Sequence, residues 1–222
     1  MLIFSVLAFL TPKFIGESSL RDSSEYLMLA KNLAEQSTHY AGDIEEATDM
    51  RLFSKRPMGY ALFLSIGGLC SNAFIKLIQI FFILLLFVVG LQILRAVKLS
   101  HITGIYSLLF ALSLPLYISS QWIMADLLLA VLLALCIYYF ILYQINGHNS
   151  DHKRFFLLLG LSVLVKPIML PLCLGVSLFY LIASVFKGKI KLISLFPALV
   201  ILMVFMMNKI SSISTLISSA VV

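Results

Sequence analysis

Charge is scarce in this chain, and acid is scarcer still. Only 12% of its 222 residues are charged and 61% are hydrophobic, whereas soluble domains carry roughly a quarter charged residues and about half apolar ones. With a mean hydropathy of +1.06, this balance argues against a soluble domain and for a chain dissolved in a bilayer. Cysteine is nearly absent. Cys70, Cys136 and Cys173 stand singly in apolar segments, which excludes a zinc site or disulfide framework built on paired cysteines and leaves them as buried apolar filler. The apolar stretch 1–10 has no basic leader and no small-residue cleavage site, so it reads as a shortened first span and not as a removed signal peptide. No internal repeat or low-complexity domain is evident.

The net charge of +6 would suggest a nucleic-acid partner in a soluble protein. Here the basic residues sit in short turns between apolar runs, a pattern that sets orientation in a membrane, and no nucleic acid is expected. The acids are distributed differently. Eight of the ten, Glu17, Asp22, Glu25, Glu35, Asp43, Glu45, Glu46 and Asp49, fall between positions 17 and 49, so one loop holds most of the acid chemistry.

A span needs about 20 mostly apolar residues to cross roughly 30 Å of hydrocarbon. On that criterion the chain is a single transmembrane domain, residues 1–222, with an all-α fold: a polytopic helical bundle of about seven spans. We expect a first span at 1–16, a long first outer loop at 17–57, and further spans at 73–94, 102–118, 123–145, 155–167, 170–186 and 192–207. The outer loop carries a helix starting near Ser23, whose Tyr26, Leu29, Ala30 and Leu33 recur at helical spacing, with Lys31, Asn32 and Glu35 elsewhere on its surface. Residues 58–71 are apolar but short and end in Gly67-Gly68, which favours an interfacial or re-entrant helix. The basic turns around Arg95 and Lys98, Lys153 and Arg154, and Lys187, Lys189 and Lys191 should be cytoplasmic. Residues 155–186 must then cross twice, as a hairpin turning near Lys166-Pro167 and Pro171.

By parity, this topology carries the acidic loop, the turn at Gln121 and the turn at Lys166 to the outer face. Four ionisable residues converge there: Asp22, Arg56, Asp126 and Lys166. Charges near the hydrocarbon normally pair or serve a site. Each also has a plainer reading. Asp22-Ser23-Ser24-Glu25 is close to a capping box, a role compatible with a functional carboxylate. Arg56 before Pro57 suits an anchor to lipid phosphate. Asp126, four residues into an apolar run, suits a structural partner for Lys166, and Lys166 suits a snorkelling lysine. Asp43, Glu45, Glu46 and Asp49 match no calcium loop and read as a solvated acidic loop. His39, His101, His148 and His152 are scattered and receive no catalytic role.

The series Asp22-x-x-x-Tyr26-x-x-x-Ala30-x-x-Leu33, Arg56-Pro57-x-Gly59-Tyr60-x-Leu62-Phe63, an acid opening a span at Asp126, and Gly160-Leu161-x-x-Leu164-x-Lys166-Pro167 resembles the GT-C type of polytopic membrane glycosyltransferases. The nearest branch is that of the protein mannosyltransferases and the aminoarabinose transferases of lipid A. The resemblance covers about residues 1–205. It implies transfer of a sugar from a polyprenyl-phosphate-linked donor to a cell-envelope acceptor on the outer face, with inversion. Asp22 would be the base, Arg56 and Lys166 the donor-phosphate clamp with Lys55 as a weaker member, and Glu25, Tyr26, Tyr60 and Asp126 the supporting residues. The chain departs from the family in having Pro57-Met58 for Pro-Pro, Asp126 for glutamate and Lys166 for arginine. It is also shorter than usual members, which implies a minimal or shortened one.

The expected setting is a bacterial-type inner (plasma) membrane, multi-pass, with the active face extracytoplasmic. The expected partners are the polyprenyl-phosphate sugar donor, a lipid, glycan or protein acceptor, membrane lipids, and a partner subunit if the chain does not act alone. No cofactor is required by the sequence; the first-loop acids permit a divalent metal without demanding one. Two alternatives stand beside the enzyme: a non-catalytic protein that binds or translocates a polyprenyl-phosphate carrier, and a structural subunit of an envelope-glycan assembly.

Overall fold

The computed structural model describes residues 21–44, 52, 57–66, 72–113, 115–116, 123 and 125–186. The spans expected at 1–16 and 192–207, the acids Glu45, Glu46 and Asp49, and both Lys55 and Arg56 lie outside these residues. Within them the chain is all-helical. Seven α-helices follow in order: α1 Arg21–Gln36, α2 Met58–Ile66, α3 Asn72–Ala96, α4 Thr103–Ala111, α5 Ala125–Asn146, α6 Asn149–Val165 and α7 Leu170–Phe186. Single 3-10 turns at Ser100–Ile102 and Pro167–Met169 lead into α4 and α7.

Two helices are long and apolar enough to cross a membrane, over Phe74–Ala96 and Ala125–Asn146. At 1.5 Å per residue they measure about 33–35 Å, against roughly 30 Å of hydrocarbon. Only 22% of each span's apolar window is buried inside the protein. The core helix of a soluble protein would be mostly buried; here Phe81 and Ile137 face outward at 58% and 52% exposure.

The packing fixes the helix directions. Ile75 near the start of α3 shares a buried cluster with Ala125 at the start of α5, while Ile83, two turns on, packs with Leu127 and Val131. The two long helices therefore run the same way. Gly147, at φ +68°, ends α5 in the left-handed conformation that glycine adopts without strain, and its N–H donates to the Tyr143 carbonyl at 2.9 Å. The chain then returns as α6 along α5, with Tyr143 against His152 and Phe140 against Phe155. Helix α7 folds back along α6 in turn, with Tyr180 edge-on to Phe156 and His152.

Two elements differ from the sequence expectation. The segment 102–118 was expected to cross the membrane as one helix, but α4 has nine residues and ends at Ala111. Pro115 explains the stop: it has no N–H to donate, and its ring opposes the carbonyl of Ala111, four residues earlier. What α4 does instead is pack Tyr106 on Phe87, rings stacked with centroids 5.6 Å apart, with its hydroxyl donating to the Phe87 carbonyl at 3.3 Å. Gly90 makes room, since a Cβ there would fall onto the Tyr106 phenol.

The second difference is the polar stretch His148 to Arg154, expected as a connection, most of which forms the first turns of α6. Asp151 lies in the first turn, where a negative charge suits the helix dipole, and approaches Arg154 one turn on at 3.7 Å. Arg154 also covers the Tyr139 ring, 5.3 Å from its centroid. These contacts let a polar sequence enter the bundle with Asp151 and His152 buried.

Candidate functional site

One end of the bundle gathers the starts of α1, α2, α3 and α5 and the close of α6. Tyr26, Tyr60, Ile75, Ala125 and Val165, one from each, belong to a single buried cluster. This is the end at which Asp126 and Lys166 stand. Arg95 and Lys98 lie at the far end of α3, and Arg154 near the start of α6, at the opposite end.

Lys166 owes its position to Pro167. The residue before a proline is pushed out of the helical region, and Lys166 is extended, at φ −143° and ψ 114°. Its backbone still closes both neighbouring helices: its N–H donates to the Ser162 carbonyl at 2.9 Å, and its carbonyl accepts from Met169 N–H at 3.0 Å. The side chain leaves this break toward the first turn of α5, where Nζ donates to Asp126 Oδ1 at 2.5 Å. The two side chains keep 31% and 43% of their surface exposed, so the pair is compensated yet reachable.

Helix α2 locks against this corner by a backbone approach. A Cβ on Gly59 would stand 2.6 Å from the Leu164 carbonyl group and 2.9 Å from the Val165 nitrogen. Only glycine lets α2 lie this close to the end of α6. One residue on, Tyr60 is 2% exposed and meets Tyr26 of α1 edge to face, ring centroids 5.0 Å apart. Burial pushes the Tyr60 phenol above its ordinary pKa; a hydrogen bond with Gln79 opposes this, and the nearby Tyr26 and Asp126 add to it. Tyr60 thus remains a neutral phenol linking α1, α3 and the Asp126 corner.

Asp22 lies in the first turn of α1, one turn before Tyr26. The helix begins at Arg21, so Asp22 is a helical residue and not the cap expected ahead of a helix starting near Ser23. Glu25 is buried in the next turn, 6% exposed. The face of α1 expected to be solvated is partly interior as well: Asn32 is 4% exposed, and its Nδ2 donates to the carbonyls of Tyr40 at 2.7 Å and Gly42 at 2.9 Å. That clamp folds the chain after α1 back over the helix. Sequence reasoning missed this role, and also Gln79, a lone amide between Ile78 and Ile80 whose isolation in an apolar run was the available signal.

Beside this corner, α5, α6 and α7 enclose a lateral apolar groove of about 970 Å³, with Leu133, Leu159, Pro171 and Leu172 toward the Lys166 end and Gln144 and Tyr180 toward the other. Cys136 lines it, its thiol donating to the Phe155 carbonyl at 3.8 Å. Among the described residues, no three of histidine, cysteine, aspartate and glutamate come together as a cation site. The arrangement offers a charged, accessible pair beside a buried aromatic lock, next to a groove of apolar surface. No family model, curated protein or solved structure matches this chain.

Proposed function

We propose that the chain is a multi-pass membrane glycosyltransferase that moves a sugar from a polyprenyl-phosphate-linked donor to a cell-envelope acceptor on the outer face, with inversion. The observation that carries this reading is the Asp126–Lys166 pair, standing at the end of the bundle where α1, the helix of Asp22, is locked on α2 through Tyr26 and Tyr60. The groove between α5 and α7 supports it, because a polyprenyl chain needs apolar surface next to a site that receives its phosphate.

In this mechanism the acceptor oxygen bonds to the anomeric carbon while the bond from that carbon to the phosphate oxygen breaks. The electron pair leaves with the polyprenyl phosphate, and the acceptor's proton passes to the Asp22 carboxylate as general base. Lys166, Arg56 and Lys55 stabilise the charge growing on the phosphate, which makes a general acid unnecessary. Arg56 takes the two-oxygen grip that guanidinium geometry favours. Asp126 holds Lys166 in place, and Glu25, Tyr26 and Tyr60 fix α1 against α2.

The test is transfer of labelled sugar from a panel of polyprenyl-phosphate donors, in membranes carrying equal amounts of inserted wild type or Asp22→Asn. Transfer by the wild type that is lost in the variant is the expected result. Undiminished transfer by Asp22→Asn would remove Asp22 as the base. Carrier binding without transfer by the wild type would favour the second reading, a protein that binds or translocates the carrier, for which the groove beside a compensated lysine also speaks.

A further inference from the structure

Lys166 does not meet an incoming anion as a bare cation, because Asp126 neutralises it. A second lysine at the same end of the bundle has no such partner among the described residues. Lys76 lies in the second turn of α3, half-buried, within a helix that otherwise reads as a membrane span. Among the described residues it makes no hydrogen bond or ion pair. An ionisable residue within a span ordinarily marks a site or pathway.

Its place on α3 says which way it faces. Lys76 precedes Ile83 by seven residues, two helical turns, and so lies on the same stripe of the helix. Ile83 is 1% exposed and packs with Leu127 and Val131 of α5. Lys76 therefore stands over the seam between α3 and α5, at the end where α5 opens with Asp126. Its neighbours Ile75 and Gln79 are buried at 1% each, so its stem is flanked by packed side chains, unlike that of a lysine at a free helix end. Asp126 and Lys166 compensate each other there, which leaves Lys76 over this seam without a paired carboxylate among the described residues.

We infer that Lys76 binds the phosphate of an anionic amphiphile at this corner, with Lys166 held ready by Asp126 as the second contact. This deepens the proposed function by assigning the donor's phosphate a residue outside the Arg56 and Lys166 clamp, and it rests on that reading. The same chemistry could be presented by a polyprenyl monophosphate or by the headgroup of a bulk phospholipid.

The experiment uses the full chain in phosphatidylcholine nanodiscs and a fluorescent polyprenyl monophosphate, with phosphatidic acid as competitor. Lys76→Gln should weaken polyprenyl phosphate binding about tenfold or more, the scale of a lost charge-assisted contact. Lys76→Arg should retain most of it, and Lys98→Gln, at the opposite end, should change nothing. Competition by phosphatidic acid at equal concentration would assign Lys76 to phosphate headgroups in general, and its failure to compete would assign Lys76 to the polyprenyl carrier. Wild-type affinity in Lys76→Gln, with loss in Lys166→Gln, would overturn the inference and leave the proposed function standing. No binding of polyprenyl phosphate by the wild type would overturn the proposed function. Lys76-dependent binding of phosphatidic acid in that case would uphold Lys76 as a headgroup site, and its absence would overturn that too.

Discussion

The Lys166 ammonium donates to the Asp126 carboxylate at 2.5 Å across 40 positions of sequence. Both side chains are more than a third or close to a third exposed, so their attraction is screened, and pairs of this kind contribute about 0–1 kcal/mol. Reversing both charges, with Asp126→Lys and Lys166→Asp together, should therefore restore thermal stability to within about 1 kcal/mol of wild type. Transfer should stay lost, because the cation would have moved from the break before Pro167 to the first turn of α5. Recovery of transfer along with stability would mean that the pair is only structural.

Gly59 should tolerate no side chain. A methyl group there meets the Leu164 backbone at 2.6 Å, and backbone yields less readily than the tip of a side chain. Gly59→Ala is expected to destabilise by about 1–3 kcal/mol, the range for overpacked cores. Thermal unfolding in detergent measures this, and an unchanged midpoint would show that α2 does not sit against α6 in solution.

Alkaline unfolding should carry a signature of Tyr60. Its folded pKa is raised above the ordinary 10.0, so above pH 10 the unfolded chain loses a proton that the folded chain keeps. The stabilisation is complete below that pH and declines as pH rises toward the folded value. Tyr60→Phe should flatten this decline while losing the hydrogen bond with Gln79, a change of about 1 kcal/mol near neutrality. Unfolding followed by circular dichroism from neutral to strongly alkaline pH checks both parts.

Asn32→Ala removes both hydrogen bonds to the Tyr40 and Gly42 carbonyls. The expected loss is about 2 kcal/mol, at roughly 1 kcal/mol per bond. It should fall locally, as faster proteolysis and hydrogen exchange around residues 38–44, while α3 and α5 keep their protection. Uniform loss across the bundle would show that the clamp supports more than its own loop.

The helical character and the two membrane-length helices were legible because a mostly apolar stretch of more than twenty residues, such as the ones that became α3 and α5, has few other ways to satisfy its backbone. The stop of α4 was legible too, in Pro115, but a count of apolar residues passes over it. The start of α6 was not: His148 to Arg154 reads as a solvated turn until Asp151, Arg154 and Tyr139 are seen to satisfy one another. Asn32 fails for a similar reason, since its burial depends on residues 40–42 folding back, a contact that helical spacing cannot report. At the site, a lysine and an aspartate each stranded in an apolar run are readable as partners. Gly59 beside Leu164 depends on how two distant helices meet and is visible only in the fold.

The shared direction of α3 and α5 has an electrostatic consequence. Both present their N-terminal ends at the corner of Asp126 and Lys166, as do α1 and α2, and α7, beginning just after Lys166, adds another. Each such end carries a partial positive charge of about half a unit from its unpaired amides, whereas α6 ends there with the opposite sign. The backbone alone thus gives this end of the molecule a positive bias that no change of pH can titrate away, set by the direction of the chain and not by its side chains.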